Sequence, residues 1–403
     1  MKKYSPIIDF IRVVYPNRDF IPLHEPYFAG NEKKYVLDCI ESTFVSSVGK
    51  YVDKFEEMIR EFTGAKYAIA TVNGTAALHI ALLLAGVKQG DLVITQPLTF
   101  VATCNAISYC GAEPIFVDID RKTLGLSAEA LETWLSENAE VLDLKAYIQN
   151  GKNPKPRQTQ DNSGVCVLKG TNRRISACVP MHTYGHPCQI DRIAEVCNRY
   201  HICMVEDSAE SIGSYYKNRH TGTFGKLGVL SFNGNKTITT GGGGMIITND
   251  DELGKLAKHI TTTAKIPHPW KFEHDMVGYN YRLPNLNAAL GCAQMELLPE
   301  ILKNKRQTAE LYREYFRDIP NIEFVTEPKD SISNYWLNVI LLASLAERES
   351  FLQQTNENKV MTRPAWILMN ELKMFKDSMC GDLSISREMA DRLVNIPSSV
   401  RKT

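Results

Sequence analysis

The chain has 403 residues and a mass of 45.4 kDa, a length that predicts two or three domains rather than one small core. Its composition, 44% hydrophobic and 23% charged, excludes collagen-like, coiled-coil and generally disordered proteins. The 46 Lys and Arg residues balance the 46 Asp and Glu residues. This balance argues against a nucleic-acid backbone or an anionic membrane as the partner.

The opening residues and the cysteine spacing predict a cytoplasmic protein without metal. Charges recur too soon in the opening MKKYSPIIDFIRVVY for the apolar core of a signal peptide, and no run of 18 uncharged apolar residues follows. Ten cysteines are scattered without a CxxC pair or clustered zinc-ligand spacing. This usage predicts reduced, mostly buried thiols.

From about residue 30 to 250, short β-branched runs alternate with longer helical stretches. This pattern predicts an α/β fold with a mostly parallel, seven-stranded sheet that helices cover on both faces. The candidate strands are 67–70, 92–95, 114–118, 177–182, 202–206, 229–232 and 245–248. Between the first two, the apolar run 75–86 follows the capping pair Asn73 and Gly74 and predicts a buried helix.

Three further features indicate how the rest of the chain is organised. The polar stretch 150–163 predicts an exposed loop. After Pro284, apolar residues at helical spacing predict a long linking helix, which Pro299 could kink. The runs 322–327 and 335–343 are then typical of strands, and 345–355 of a helix, in a smaller α+β region.

The predicted elements divide the chain into three parts. Residues 1–24 form an N-terminal segment, residues 25–284 a large cofactor-binding domain, and residues 285–403 a linking helix and a small C-terminal domain.

Polar residues directly after candidate strands indicate a ligand site, because ligands of open α/β sheets collect at the carboxyl ends of strands. The turn Val72–Ala76 opens a helix whose free amide groups suit a phosphate. Asp207 ends an apolar run and needs a cationic partner there. Lys236 lies between a strand and four glycines, and Phe100 could form the wall of a flat site. Taken singly, these features also fit helix capping and core packing.

Together, these residues fit pyridoxal phosphate (PLP). Its aldehyde needs a lysine amine, its pyridine nitrogen needs a carboxylate to hold a proton, and its phosphate suits a helix terminus. The sequence therefore predicts an enzyme that uses the protonated ring as an electron sink.

Six motifs in order resemble the DegT/DnrJ/EryC1/StrS family of fold-type I aminotransferases, which act on nucleotide-linked keto sugars. The resemblance covers nearly the whole chain, from Ile21 to Pro364. The motifs are GTAALH at 74–79, TFVAT at 99–103, HTYGHP at 182–187, EDSAESIG at 206–213, SFNGNK at 231–236 and GYNYRLPNLNAALG at 278–291.

The resemblance implies a role for each matched residue. Lys236 would bind the cofactor's aldehyde and move the proton, and Asp207 would pair with the pyridinium nitrogen. Phe100 would stack on the ring, and Glu210 would lie near the phenolic oxygen. The phosphate would be held by residues from two turns of the same chain, namely Gly74, Thr75, Ala76 and Ser231.

The resemblance also implies a homodimer with shared active sites. Asn280 would reach the cofactor phosphate of the partner subunit, and Arg282 beside it would contact the substrate phosphate.

The implied reaction moves an amino group from L-glutamate to the 4-keto carbon of a nucleotide-linked 4-keto-6-deoxy sugar, with a 2-acetamido group. Lys236 argues against the dehydratase branch, which carries histidine at that position. SSVG at 46–49, TTTAK at 261–265 and NIPSS at 395–399 most resemble 4-aminotransferases of legionaminic-acid-type pathways. Such enzymes serve the biosynthesis of bacterial surface glycans or nonulosonic acids. A 3-keto sugar aminotransferase, and a binding or regulatory protein that keeps the fold without turnover, remain alternatives.

Overall fold

A computed structural model describes residues 3–149 and 164–402. The predicted loop at 150–163 lies outside these residues.

The helices of the described residues are α1 Ser5–Val14, α2 Glu32–Glu41, α3 Lys50–Thr63, α4 Gly74–Leu84, α5 Val101–Tyr109, α6 Ala128–Asn138, α7 Leu144–Gln149, α8 Ile190–Arg199, α9 Asp251–Thr261, α10 Asn285–Phe316, α11 Leu345–Glu357 and α12 Ser384–Arg392. Short 3₁₀ turns lie at Thr183–Gly185 and Met369–Glu371.

The strands are β1 Tyr67–Thr71, β2 Leu92–Thr95, β3 Glu113–Phe116, β4 Ala139–Asp143, β5 Gly164–Leu168, β6 Ile175–Val179, β7 Cys203–Asp207, β8 Tyr215–Tyr216, β9 Arg219–His220, β10 Leu227–Ser231, β11 Gly244–Thr248, β12 Ile322–Phe324, β13 Ser331–Ile332, β14 Asn338–Leu342, β15 Arg363–Pro364 and β16 Leu393–Ile396.

The central sheet has seven strands in the order β1-β11-β10-β7-β6-β2-β3. All its neighbours pair in parallel except β11, which is antiparallel to both β1 and β10. Each of the seven predicted strands corresponds to one of these, so the predicted α/β fold is confirmed. The four strands β2, β6, β10 and β11 are buried along their whole length, as expected for a sheet covered on both faces.

Helix α4 packs against the centre of this sheet, because its residues are apolar nearly all round. Its apolar side chains, among them Leu78, Ile80 and Leu82, join Val93, Val179 and Val229 of the sheet in one hydrophobic cluster. The helix begins after Asn73, as predicted, because the Asn73 side chain accepts a hydrogen bond from the Ala76 amide at 2.7 Å.

The C-terminal region contains a second, four-stranded antiparallel sheet in the order β12-β14-β16-β15. The long helix α10 leads into it and runs through Pro299 as one helix of 32 residues. Helix α1 packs here too, since Ile7 and Ile11 share a core with Tyr312 of α10 and Ile340 of β14. The N-terminal segment therefore packs against the C-terminal part of the chain.

Two further properties of the described residues bear on the sequence predictions. No helix among them is long and apolar enough to cross a membrane. Eight of the ten cysteines are buried, while Cys203 is half-buried and Cys380 is exposed. The domain boundaries and the cytoplasmic location stay predictions.

Candidate active site

A cavity of about 300 Å³ opens at the carboxyl ends of the central strands. Asp207 is the last residue of β7, Ser231 is the last residue of β10, and Asn73 follows β1 by two residues. Among its lining residues are seven that the sequence predicts: Gly74, Thr75, Phe100, Asp207, Glu210, Ser231 and Lys236. The parallel strands bring together motifs that are up to 162 residues apart (236 minus 74).

The start of α4 and the end of β10 approach each other closely at one end of the cavity. A Cβ atom on Gly74 would lie 2.9 Å from Ser231 Cβ, and one on Gly244 would lie 2.4 Å from the Asn73 carbonyl oxygen. A side chain at either position would therefore force the neighbouring atoms to shift. Backbone amides at this helix start, together with the Ser231 hydroxyl, form a site suited to an anion.

Asp207 is a buried carboxylate, 5% exposed, that faces the cavity. Its Oδ2 accepts a hydrogen bond from Thr103 Oγ1 at 2.7 Å, and its Oδ1 accepts one from the Ala209 amide at 3.2 Å. Within residues 3–149 and 164–402, no Lys, Arg or His side chain makes an ion pair with it. A buried charge without a cation is costly, so this carboxylate suits a cationic ligand.

Lys236 lies in an irregular segment after β10, and its side chain is 12% exposed. Its Nζ donates a hydrogen bond to Glu210 Oε1 at 3.2 Å and lies 4.1 Å from the centre of the Trp336 ring. The amine thus lies in the same cavity as Asp207, between a carboxylate and an aromatic face.

Glu210 is 2% exposed, and burial raises the pKa of its carboxyl to about 7, although Lys236 acts against this shift. Its Oε2 accepts a hydrogen bond from the Tyr184 amide at 2.8 Å. Glu210 can therefore bind or release a proton near neutral pH.

Several residues that line the cavity were not singled out from the sequence, and three of them bear on the predicted site. Thr103 holds Asp207, and Trp336 and Trp366 line the cavity. The position of Thr103 within the TFVAT motif was an available signal, because it lies one helical turn after Phe100, the predicted wall of the site. The two tryptophans lie in apolar runs that are also typical of core strands, so their spacing carried no such signal.

Three predicted residues are absent from the cavity lining of their own chain. The Ala76 amide already donates to the Asn73 side chain. Arg282 Nη2 donates to Asn280 Oδ1 at 3.2 Å, and Arg282 lines a different cavity, with Ser47 and Lys258. Asn280 is exposed.

The cavity fits PLP in its charges and donors. The buried Asp207 carboxylate suits a protonated pyridine nitrogen, the start of α4 with Ser231 suits a phosphate, and the Lys236 amine suits an aldehyde. When bound, the cofactor supplies an electron sink for a carbon that loses a proton.

Comparison with known proteins places the chain among aminotransferases. Residues 26–146 and 166–403 match the family described as the DegT/DnrJ/EryC1/StrS aminotransferase family. The chain is 35% identical over 379 residues to a GDP-perosamine synthase of Escherichia coli O157:H7, which covers 94% of this chain and 93% of that one. It is 34% identical to a GDP-perosamine synthase of Vibrio cholerae, with 94% of each chain covered.

Solved structures share the fold. The aminotransferase TlmJ from Streptoalloteichus hindustanus aligns with a TM-score of 0.79 and 24% identity, over 94% of this chain and 93% of that one. The match covers most of both chains, so the central sheet and the C-terminal sheet belong to one shared architecture. The chain therefore belongs to the DegT/DnrJ/EryC1/StrS aminotransferase family and is a PLP-dependent sugar aminotransferase.

Proposed function

We propose that the protein transfers the amino group of L-glutamate to the 4-keto carbon of a nucleotide-linked 4-keto-6-deoxy sugar. This proposal is supported mainly by one cavity, which both the Lys236 amine and the buried carboxylate of Asp207 face. The names of the relatives, GDP-perosamine synthases, support a nucleotide-linked sugar as the acceptor.

Four residues of the cavity have a proposed task. The Asp207 carboxylate keeps a proton on the pyridine nitrogen, with Thr103 holding it in place. Lys236 Nζ accepts the proton from the α-carbon of glutamate and delivers a proton to the sugar carbon in the second half of the reaction. Phe100, which makes an edge contact with Trp366, covers one face of the cofactor ring.

We further propose a homodimer in which Asn280 and Arg282 complete the partner's active site. Neither residue lines the cavity of its own chain. The preceding segment exposes apolar side chains, with Trp270 77%, Phe272 81% and Val277 84% exposed, which favours burial against a second copy.

The nucleotide and the carbon position are tested with defined substrates. The purified protein is incubated with glutamate and GDP- or UDP-linked 6-deoxy sugars that carry the ketone at C4 or at C3, with and without a 2-acetamido group, and the product is analysed by NMR. We expect turnover of the 4-keto sugars, with an amine at C4. Turnover of the 3-keto sugars alone, with an amine at C3, would instead support the 3-keto alternative, and turnover of only the UDP-linked 2-acetamido 4-keto sugar would support the legionaminic-acid-type branch.

The lysine assignment is tested separately by spectroscopy. The protein with PLP should show the visible absorbance of the lysine-bound cofactor, and Lys236→Ala should lose it. An unchanged spectrum in this variant would overturn the assignment.

A further inference from the structure

The segment that carries Lys236 has little regular structure of its own. Residues 232–243 lie between β10 and β11, outside any helix or strand. Within the segment, the Lys236 amide donates to the Asn233 carbonyl at 3.0 Å. The direction of the Lys236 side chain therefore depends on what packs against this segment.

Trp336, just before β14 of the C-terminal sheet, makes two different contacts to this segment. Its indole Nε1 donates to the Asn235 carbonyl at 2.7 Å, and Asn235 directly precedes Lys236. The face of the same ring lies 4.1 Å from Lys236 Nζ. Trp336 thus contacts the backbone beside the lysine and the amine at its tip.

The position of Trp336 is itself determined by buried groups on both sides. Its amide donates to Asn334 Oδ1 at 2.8 Å, and Asn334 Nδ2 donates to the carbonyls of Glu210 and Ile212, both at 2.9 Å. The Trp336 carbonyl accepts from the buried Lys305 of α10 at 3.1 Å. The ring is 4% exposed and stacks with Tyr184 at 6.5 Å between ring centres. A side chain that is fixed by packing and hydrogen bonds can orient the functional group next to it.

We infer that Trp336 is a positioning residue for Lys236, through its indole N–H on the Asn235 carbonyl and its ring face against Nζ. The inference rests on the role proposed for Lys236. Through Trp336, the C-terminal part of the chain orients the Lys236 amine, which lies in the cavity of the central sheet. Trp336 keeps Nζ beside Glu210 and directed into the cavity.

Two substitutions separate the two contacts. Trp336→Phe keeps a buried ring but removes the donor, and Trp336→Leu removes both donor and ring. Trp134→Phe is the matched control, because Trp134 of α6 is also buried, at 6% exposure, but does not line the cavity.

The readouts are the rate at which PLP attaches to the apoprotein, followed by visible absorbance, and the kinetics of the half-reaction with glutamate. We expect Trp336→Phe to lower both rate constants about two- to tenfold. Trp336→Leu should lower them about ten- to a hundredfold, with the KM for glutamate little changed. Trp134→Phe should leave the rates at the wild-type value.

Borohydride reduction followed by peptide mass spectrometry identifies the attached lysine in every variant. If the cofactor is attached to Lys236 and Trp336→Phe keeps wild-type rates, the positioning role is wrong. It is also wrong if the rates fall only in proportion to the folded fraction. A cofactor attached to another lysine would instead overturn the role proposed for Lys236. Because Trp336→Phe keeps a buried ring, the test holds even where Trp336→Leu does not fold.

Discussion

Lys236 Nζ donates a hydrogen bond to Glu210 Oε1 at 3.2 Å, and the two groups come from turns that follow neighbouring strands of the central sheet. The carboxylate is buried, while the amine faces the cavity. The protonation of the Glu210 carboxyl therefore depends on the charge of the neighbouring Lys236 amine.

Glu210 should make the stability of the apoprotein depend on pH. Its pKa in the folded protein, about 7, lies above the ordinary value of 4.5. Between these values the folded form binds a proton that the unfolded form has lost, so the free energy of unfolding falls as the pH rises. The slope from this group is at most about 1.4 kcal/mol per pH unit.

Urea unfolding of the apoprotein between pH 5 and 7.5 measures this slope. Glu210→Gln should flatten it, whereas Glu140→Gln, at an exposed position of β4, should not. An identical slope in the wild type and in Glu210→Gln would show that Glu210 does not titrate in this range.

Asp207→Asn should keep the shape of the site but remove the charge that holds the pyridine proton. We expect the rate constant of the glutamate half-reaction to fall about a hundredfold or more. Thr103→Val removes the hydrogen bond to Asp207, together with the hydroxyl contact to Thr99 at 2.8 Å, and should lower this rate about three- to tenfold. Stopped-flow absorbance measures both variants, with the exposed Thr133→Val as the control. Wild-type rates in Asp207→Asn would contradict the proposed role.

Gly74→Ala should weaken cofactor binding, because the added Cβ would lie 2.9 Å from Ser231 Cβ and push the start of α4 away from β10. We expect a loss of stability of about 1–3 kcal/mol and a PLP dissociation constant at least about tenfold higher. Gly234→Ala is the control, since a Cβ there meets no atom within 4 Å. Equal PLP affinity of the two variants, measured by equilibrium dialysis, would argue against close packing at this turn.

Shared active sites predict that two inactive variants complement each other. In a mixed dimer of Lys236→Ala and Arg282→Ala, one site carries both changes and the other carries neither. Random assembly of equal amounts should therefore recover about a quarter of the wild-type activity. The measurement is the aminotransferase activity of the co-expressed chains. Activity no higher than that of the separate variants would show that Arg282 acts within its own chain.

The sequence by itself determined the architecture and most of the cavity. Alternating β-branched and helical runs predict the central sheet because buried parallel strands need apolar side chains on both faces. Ligand groups such as Asp207 and Ser231 could be found because they directly follow strands, and the carboxyl ends of parallel strands meet at one edge. These features depend on the succession of residue types within short stretches of the sequence.

The tertiary structure alone decided which side chains complete the site. Trp336 lies 100 residues after Lys236 (336 minus 236), in a run that is typical of an apolar strand. Packing of the C-terminal sheet nevertheless brings its ring against the lysine amine. Likewise, the fold directs the Ala76 amide to the Asn73 side chain. Both outcomes depend on directions of side chains and amides in three dimensions, and residue type and spacing do not specify those directions.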